Sequence, residues 1–176
     1  MRPDSDRNWL TPVAIWIGSL AWVPRILKQI TAMDKLLSRI TGGRWSFVRL
    51  AGLPSMMLTV VGRKSGEPRS TPVLCVPYGT GYLIAGSNFG GPRMPAWVFN
   101  LRAAIEDSKT VGVSFHGVDL EAVAHECRGE ERAVVWAHMN QTWPNYDKYA
   151  ERSDRTIPVF LLEPAVVEVP RSDAGA

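Results

Sequence analysis

The stretch Met56-Met-Leu-Thr-Val-Val-Gly-Arg-Lys-Ser-Gly-Glu-Pro-Arg-Ser-Thr-Pro-Val-Leu-Cys-Val-Pro77 decides the fold. Its two ends, Met56–Val61 and Arg69–Pro77, are rich in β-branched and apolar residues and read as strands. Between them Gly62, Gly66 and Pro68 mark a turn. The result is an antiparallel hairpin, and the residues downstream repeat the theme. Tyr82–Ser87, Thr110–His116 and Val118–Cys127 read as further strands separated by Gly- and Pro-bearing turns. Helical spacing interrupts them at Ala96–Ile105, at Glu130–Met139 after Gly129, and at Tyr146–Arg152. Strands return at Val159–Leu162 and Val166–Val169, split by Pro164. Hairpin order with few crossover helices points to an α+β chain built on an antiparallel sheet or small barrel with helices attached.

Upstream of the hairpin the character changes. Between Asn8 and Pro24 there is no charge, and Trp9, Trp16 and Trp22 punctuate the stretch. It is shorter than the ~20 apolar residues that span a bilayer, and Pro12 and Gly18 interrupt it. Asp4 and Asp6 offset Arg2 and Arg7, so a signal peptide fits poorly. After Pro24, Ile26, Leu27, Ile30, Met33, Leu36, Leu37 and Ile40 fall on one helical stripe, with Arg25, Lys28, Lys35 and Arg39 elsewhere. Gly42 and Gly43 stop the helix. Such a helix either lies on an anionic membrane surface or packs on the protein's own core or a dimer partner. The sequence does not separate these readings. We divide the chain into an amphipathic segment, 1–44, a folded domain, 45–170, and a loose tail, 171–176.

The 176 residues suit one domain, and 45% apolar with 21% charged residues excludes wholesale disorder. Two cysteines, Cys75 and Cys127, are too few for a disulfide framework, so a reducing cytoplasm is the simplest setting. Net charge is only +3, but it is lopsided. Residues 1–102 carry 13 Lys and Arg against 4 Asp and Glu (+9), and residues 103–176 carry 7 against 13 (−6). A basic half either meets an anionic partner or simply keeps the surface soluble. Nucleic acid is the weakest candidate partner, because the cations are scattered and no nucleic-acid motif is present.

Three clusters carry possible chemistry. In Gly62–Arg69, three cations sit beside one acid, and two glycines let backbone N–H groups approach a phosphate or carboxylate. The order Gly-Lys-Ser is absent, so this is not a P-loop. Ser87-Asn-Phe-Gly-Gly-Pro-Arg-Met-Pro95 then runs into Ala96-Trp-Val-Phe-Asn-Leu101, a Gly-Gly-Pro loop opening a helix with Pro near its start. Its free N–H groups point at whatever fills the loop, although a helix burying Trp97 and Leu101 needs no ligand. Trp143, Tyr146 and Tyr149 recur at a spacing of three and suit either a planar ring or a core. No G-x-G-x-x-G, H-E-x-x-H or G-x-S-x-G is present, and His116, His125 and His138 lack metal-ligand spacing, so no metal is expected.

Taken together, Gly62-Arg-Lys-Ser-Gly-Glu-Pro-Arg-Ser-Thr-Pro72, Gly90-Gly91 with Pro95-Ala-Trp97 and Asn100-Leu101, and Asp154-Arg-Thr-Ile-Pro158 closing at Glu163-Pro164 resemble the deazaflavin-dependent nitroreductase family. These are split-barrel oxidoreductases of actinobacteria that use coenzyme F420. The three motifs occur in the family's order from about Leu58 to Pro164.

The resemblance implies an antiparallel split β-barrel of the FMN-binding-like kind, with peripheral helices and the N-terminal amphipathic helix. It implies coenzyme F420 (8-hydroxy-5-deazaflavin), a flat ring on a polyanionic tail. By analogy, Arg63, Lys64, Ser65 and Arg69 hold the phosphate and tail. Ser70, Thr71, Pro72, Val73 and Leu74 line the strand beside the cofactor. Ala85, Gly86, Ser87 and Asn88, with Ala96, Trp97, Val98, Phe99 and Asn100, complete the groove, and Tyr146 closes over the ring. The chemistry is hydride transfer, with Ser87 or Tyr146 as proton donor to the acceptor. Leu74, Ser87, Trp143, Tyr146 and Tyr149 would contact that acceptor.

Nitroreductase members carry Tyr where this chain has Trp143, and an aromatic Tyr where it has Leu74. This departure puts nitroimidazole reduction in question and favours a quinone as the small-molecule acceptor. The implied protein is a cytoplasmic enzyme, peripheral on the inner membrane face if its first helix is interfacial. Two alternatives stand beside it: a non-catalytic F420-binding protein at the membrane surface, and a split-barrel reductase using FMN.

Overall fold

The computed structural model describes residues 54–115 and 117–165. In β1 (Ser55–Val61), Met56, Leu58 and Val60 are buried and alternate with Met57, Thr59 and Val61. That period of two fixes which face turns inward. β2 (Pro68–Tyr78) pairs with β1 in a register that sets Val61 opposite Pro68, so the turn comprises residues 62–67. β3 (Gly81–Ala85) follows. Helix α1 (Ala96–Glu106) separates it from β4 (Val111–Phe115) and β5 (Val118–Cys127). Helices α2 (Gly129–Thr142) and α3 (Asn145–Glu151) precede β6 (Val159–Pro164).

All six strand pairings are antiparallel, and the order β1-β2-β3-β6-β5-β4 closes through β1 on β4. Closure leaves no unpaired edge. This is the α+β antiparallel barrel with attached helices expected above.

Two cores result, one on each side of the β2–β3–β6 wall. Inside the barrel, Leu58, Cys75, Ile84, Val113, Ala124, Phe160 and Leu162 meet Val98, Leu101 and Ala104 of α1. That helix packs on β1 and β5. Outside, Val76, Leu83 and Val159 meet Val135 and Met139 of α2 and the aromatic residues around α3. An ion pair fastens α1 to β5: Arg102 donates to both Glu126 oxygens, at 2.6 and 3.0 Å. Burial pushes the Glu126 carboxyl up, but hydrogen bonds from Arg102 and Arg128 outweigh it and leave it below the usual value.

The structure differs from expectation at two strand ends. β3 stops at Ala85 rather than Ser87: the Gly86 N–H still donates to the Pro158 carbonyl opposite it, but Pro158 has no N–H to return the bond. β6 runs through Pro164 instead of breaking there; Pro is tolerated at a strand's last position, where no ladder N–H is needed. The expected strand at Val166–Val169, the N-terminal helix and the loose tail lie outside the described residues.

Candidate active site

The turn between β1 and β2 is built to be tight. Gly62 N–H donates to the Glu67 carbonyl at 2.8 Å, and the Ser65 and Gly66 N–H groups return to the Gly62 carbonyl. A Cβ on Gly62 would stand 2.7 Å from Ser65 Oγ and 3.2 Å from the Glu67 carbonyl oxygen. Gly66, at φ +70°, occupies the left-handed region that glycine enters without steric cost. The compact loop leaves the side chains of Arg63, Lys64, Ser65 and Arg69 exposed. Arg69 Nη2 donates to Ser65 Oγ at 3.4 Å, and across the strands Thr59 and Ser70 join their hydroxyls at 2.9 Å.

Helix α1 faces this turn. Trp97 packs edge-on against Phe160 of the barrel core, with ring centres 5.8 Å apart. The Arg63 guanidinium lies over the exposed Phe99 ring at 5.4 Å, and Asn100 Oδ1 accepts the Arg63 N–H at 3.2 Å. Between turn and helix lies a groove of about 950 Å³. It is lined by Arg63, Lys64, Ser65, Arg69, Ser70, Thr71, Ala96, Trp97, Phe99 and Asn100, all of them expected site residues. Met57, Gly62, Pro68 and Met94 complete it. The N–H groups of Ala96 and Trp97 precede the helix's own ladder, so the positive end of α1 joins three cations around one space.

The remaining expected residues fall elsewhere. Val98 points into the barrel core, since neighbours one apart on a helix face different directions. Val73 is in the barrel core, and Leu74 packs on the outer one. Pro72, Ala85, Gly86, Ser87 and Asn88 are outside the groove lining. The last three belong to the loop that leads from β3 to α1. In that loop Asn88 and Phe89 have φ of 49° and 54°, a left-handed pair that costs roughly 1–3 kcal/mol per residue and persists only under outside constraint.

Trp143, Tyr146 and Tyr149 do share one side, as their spacing implies, but that side is buried in the outer core against Val76, Leu83 and Met139. Tyr146 is 2% exposed, and burial pushes its phenol far above the ordinary value. Burial likewise raises Tyr149, to about 12. A proton donor must reach its acceptor, and here none of these three side chains lines the groove.

His125, Cys127 and Glu131 bring ligand atoms within 4.8 Å of one another. Local structure accounts for them. Glu131 stands third in α2 and accepts the N–H of the N-cap residue Arg128, while His125 Nε2 pairs with its carboxylate at 2.8 Å.

A family model described as F420H(2)-dependent quinone reductase matches residues 32–164. The chain belongs to the F420H(2)-dependent quinone reductase family. It is therefore an oxidoreductase whose cofactor is coenzyme F420, as the turn and helix motifs implied. A relative from Mycobacterium tuberculosis, named F420H(2)-dependent quinone reductase, is 32% identical over 143 residues, covering 80% of this chain and 95% of that protein. A solved F420-H2-dependent reductase is similar at a TM-score of 0.56 and 35% identity, covering 62% of this chain and 94% of that one. A second solved structure, described only as a domain-swapped dimer, matches at a TM-score of 0.58 and 32% identity, covering 74% of this chain and 96% of that one.

The groove's donors fit the coenzyme of this quinone reductase family. A phosphate and carboxylate tail needs cations, hydroxyls and free N–H groups on a rim open to solvent, and that is what the turn and α1 present.

Proposed function

We propose that the groove between the basic turn and α1 holds the phosphate and tail of coenzyme F420, and that a quinone is the acceptor. Supporting this is the convergence of Arg63, Lys64 and Arg69 with the first turn of α1 on one space. When bound, the reduced coenzyme supplies a hydride. Arg63, Lys64 and Arg69 neutralise the tail, and the Ser65, Ser70 and Thr71 hydroxyls donate to it. Trp97, Phe99 and Met94 offer apolar surface that excludes water from the reacting face. A quinone that takes a hydride also takes one proton and leaves as the quinol. Ser87 and Tyr146 are the candidates to pass that proton; neither side chain lines the groove, Ser87 standing on the loop that enters α1 and Tyr146 in the outer core.

No described helix is long and apolar enough to cross a membrane. Quinones of long chain length reside in bilayers, and the Trp-bearing stretch before Pro24 with the apolar stripe and flanking cations after it would bring the enzyme to an anionic surface. Liposome co-sedimentation of the full chain and of the chain lacking 1–44 tests that reading. Binding by the former alone supports it, and no binding by either refutes it.

The experiment for the reaction is anaerobic mixing of F420H2-loaded enzyme with a soluble naphthoquinone, following cofactor oxidation. Turnover with stoichiometric quinol supports the reading. Cofactor binding without turnover across a panel of quinones would favour the non-catalytic alternative.

A further inference from the structure

We infer that Arg155 is a positioning residue of this enzyme: its guanidinium fixes the segment 86–95, which delivers Met94 and the first turn of α1 to the groove. The inference rests on the groove reading above.

Arg155 Nη1 donates to the Gly86 carbonyl at 3.0 Å, and Nη2 donates to the carbonyls of Ser87 at 3.0 Å and Gly91 at 3.3 Å. One planar fork thus gathers both ends of the turn that contains the left-handed pair Asn88 and Phe89. This is the outside constraint such a backbone requires. The same fork reaches the groove lining itself, with Nη1 3.5 Å from Met94 Sδ. Close packing leaves the segment little freedom elsewhere. A Cβ on Gly86 would fall 2.7 Å from Val98 Cγ2, and one on Gly90 would fall 3.2 Å from the Tyr149 backbone.

Arg155 Nε is buried and has no hydrogen-bond partner among the described residues, so within them the side chain is placed by what its two terminal nitrogens hold. A lysine cannot substitute. Its single nitrogen keeps the charge but cannot span three carbonyls gathered on two separated donors. Removal of the fork would leave those carbonyls to find other donors and release the loop that aims α1 at the groove.

The test uses the full chain as wild type, Arg155→Ala, Arg155→Lys, Arg69→Ala in the groove, and Met139→Ala in the outer core. Two quantities are read: amide hydrogen exchange across 86–95 in coenzyme-free protein, and F420 affinity by fluorescence titration. Arg155→Ala should lose exchange protection in 86–95 while β5 and α2 keep theirs. Its F420 dissociation constant should rise about tenfold, and millimolar guanidinium should restore part of the loss. Arg155→Lys should resemble it, and Met139→Ala should lower stability without changing affinity. If Arg155→Ala does not fold, Arg155→Lys decides on the same two readouts. Unchanged affinity in the Arg155 variants beside weakened binding in Arg69→Ala overturns the inference and leaves the groove reading intact. Equal weakening in Met139→Ala also overturns it, since the effect is then global. Unchanged affinity in both Arg69→Ala and Arg155→Ala overturns the groove reading and the inference with it.

Discussion

Asn100 Oδ1 accepts the backbone N–H of Arg63 at 3.2 Å, and this contact joins α1 to the basic turn 37 residues earlier. With the Arg63 guanidinium over Phe99, it ties the two walls of the groove together. A net hydrogen bond of this kind is worth about 0.5–1.5 kcal/mol. Asn100→Ala should therefore lower the melting temperature by a few degrees and, by loosening the turn, raise the F420 dissociation constant by up to about tenfold, measured by calorimetry and fluorescence titration. An unchanged constant would mean that the turn is held without it.

Lys64 and Arg69 stand at an exposed rim, so their contribution should be charge-dependent and screened by salt. Lys64→Ala should weaken F420 roughly tenfold at low salt and by less at 0.5 M. Titrations at two ionic strengths check this; a salt-independent loss would assign Lys64 a packing role.

Glu126 carries the ion pair that ties α1 to β5, and its carboxyl lies below its ordinary value in the folded state. That stabilisation is present above the unfolded value near 4.5 and is lost as pH falls through the lower folded value. Glu126→Gln should cost about 1 kcal/mol at pH 7, discounted for the half-exposed Arg102, and the difference from wild type should be smaller at pH 3. Urea unfolding at the two pH values measures it.

Tyr149 titrates in the opposite sense. Its folded value, about 12, lies above the unfolded 10, so its burial as a neutral phenol stabilises fully below pH 10. The stability is lost as pH rises through 12, on the order of 2–3 kcal/mol across that window. Tyr149→Phe should unfold less steeply between pH 10 and 11.5. Parallel curves would place the alkaline sensitivity elsewhere.

Trp143 is 3% exposed in the outer core, away from the groove lining. Trp143→Tyr should lower stability by ~1–3 kcal/mol through imperfect refilling of the space and leave the acceptor range as it was. A gain of nitroimidazole reduction would contradict that placement.

The barrel was legible because its strands announce themselves by period two and its turns by Gly and Pro, as at 62–68. The basic turn was legible for the same reason: cations in a glycine turn have few structural duties. Sidedness was legible for Trp143, Tyr146 and Tyr149, but spacing gives a face and not what covers it. Only tertiary packing reveals that their face meets Val76 and Leu83. Val98 shows the same limit, as a groove-helix residue turned inward by one step of the helix. The left-handed Asn88 and Phe89 carry no glycine signal. Arg155 stood within the Asp154–Pro158 motif, yet its partners are main-chain carbonyls 64 to 69 residues earlier, which no side-chain pattern encodes.

The central claim is that the groove of Arg63, Lys64, Arg69 and the start of α1 selects a polyanionic deazaflavin over a flavin with a single phosphate. Parallel titration of the full chain with coenzyme F420 and with FMN at physiological salt tests it most directly, repeated on Arg69→Ala. Tighter binding of F420 by the wild type, with a preference that shrinks in Arg69→Ala, is the expected result. Equal or tighter binding of FMN by the wild type, or a preference untouched by Arg69→Ala, would contradict it.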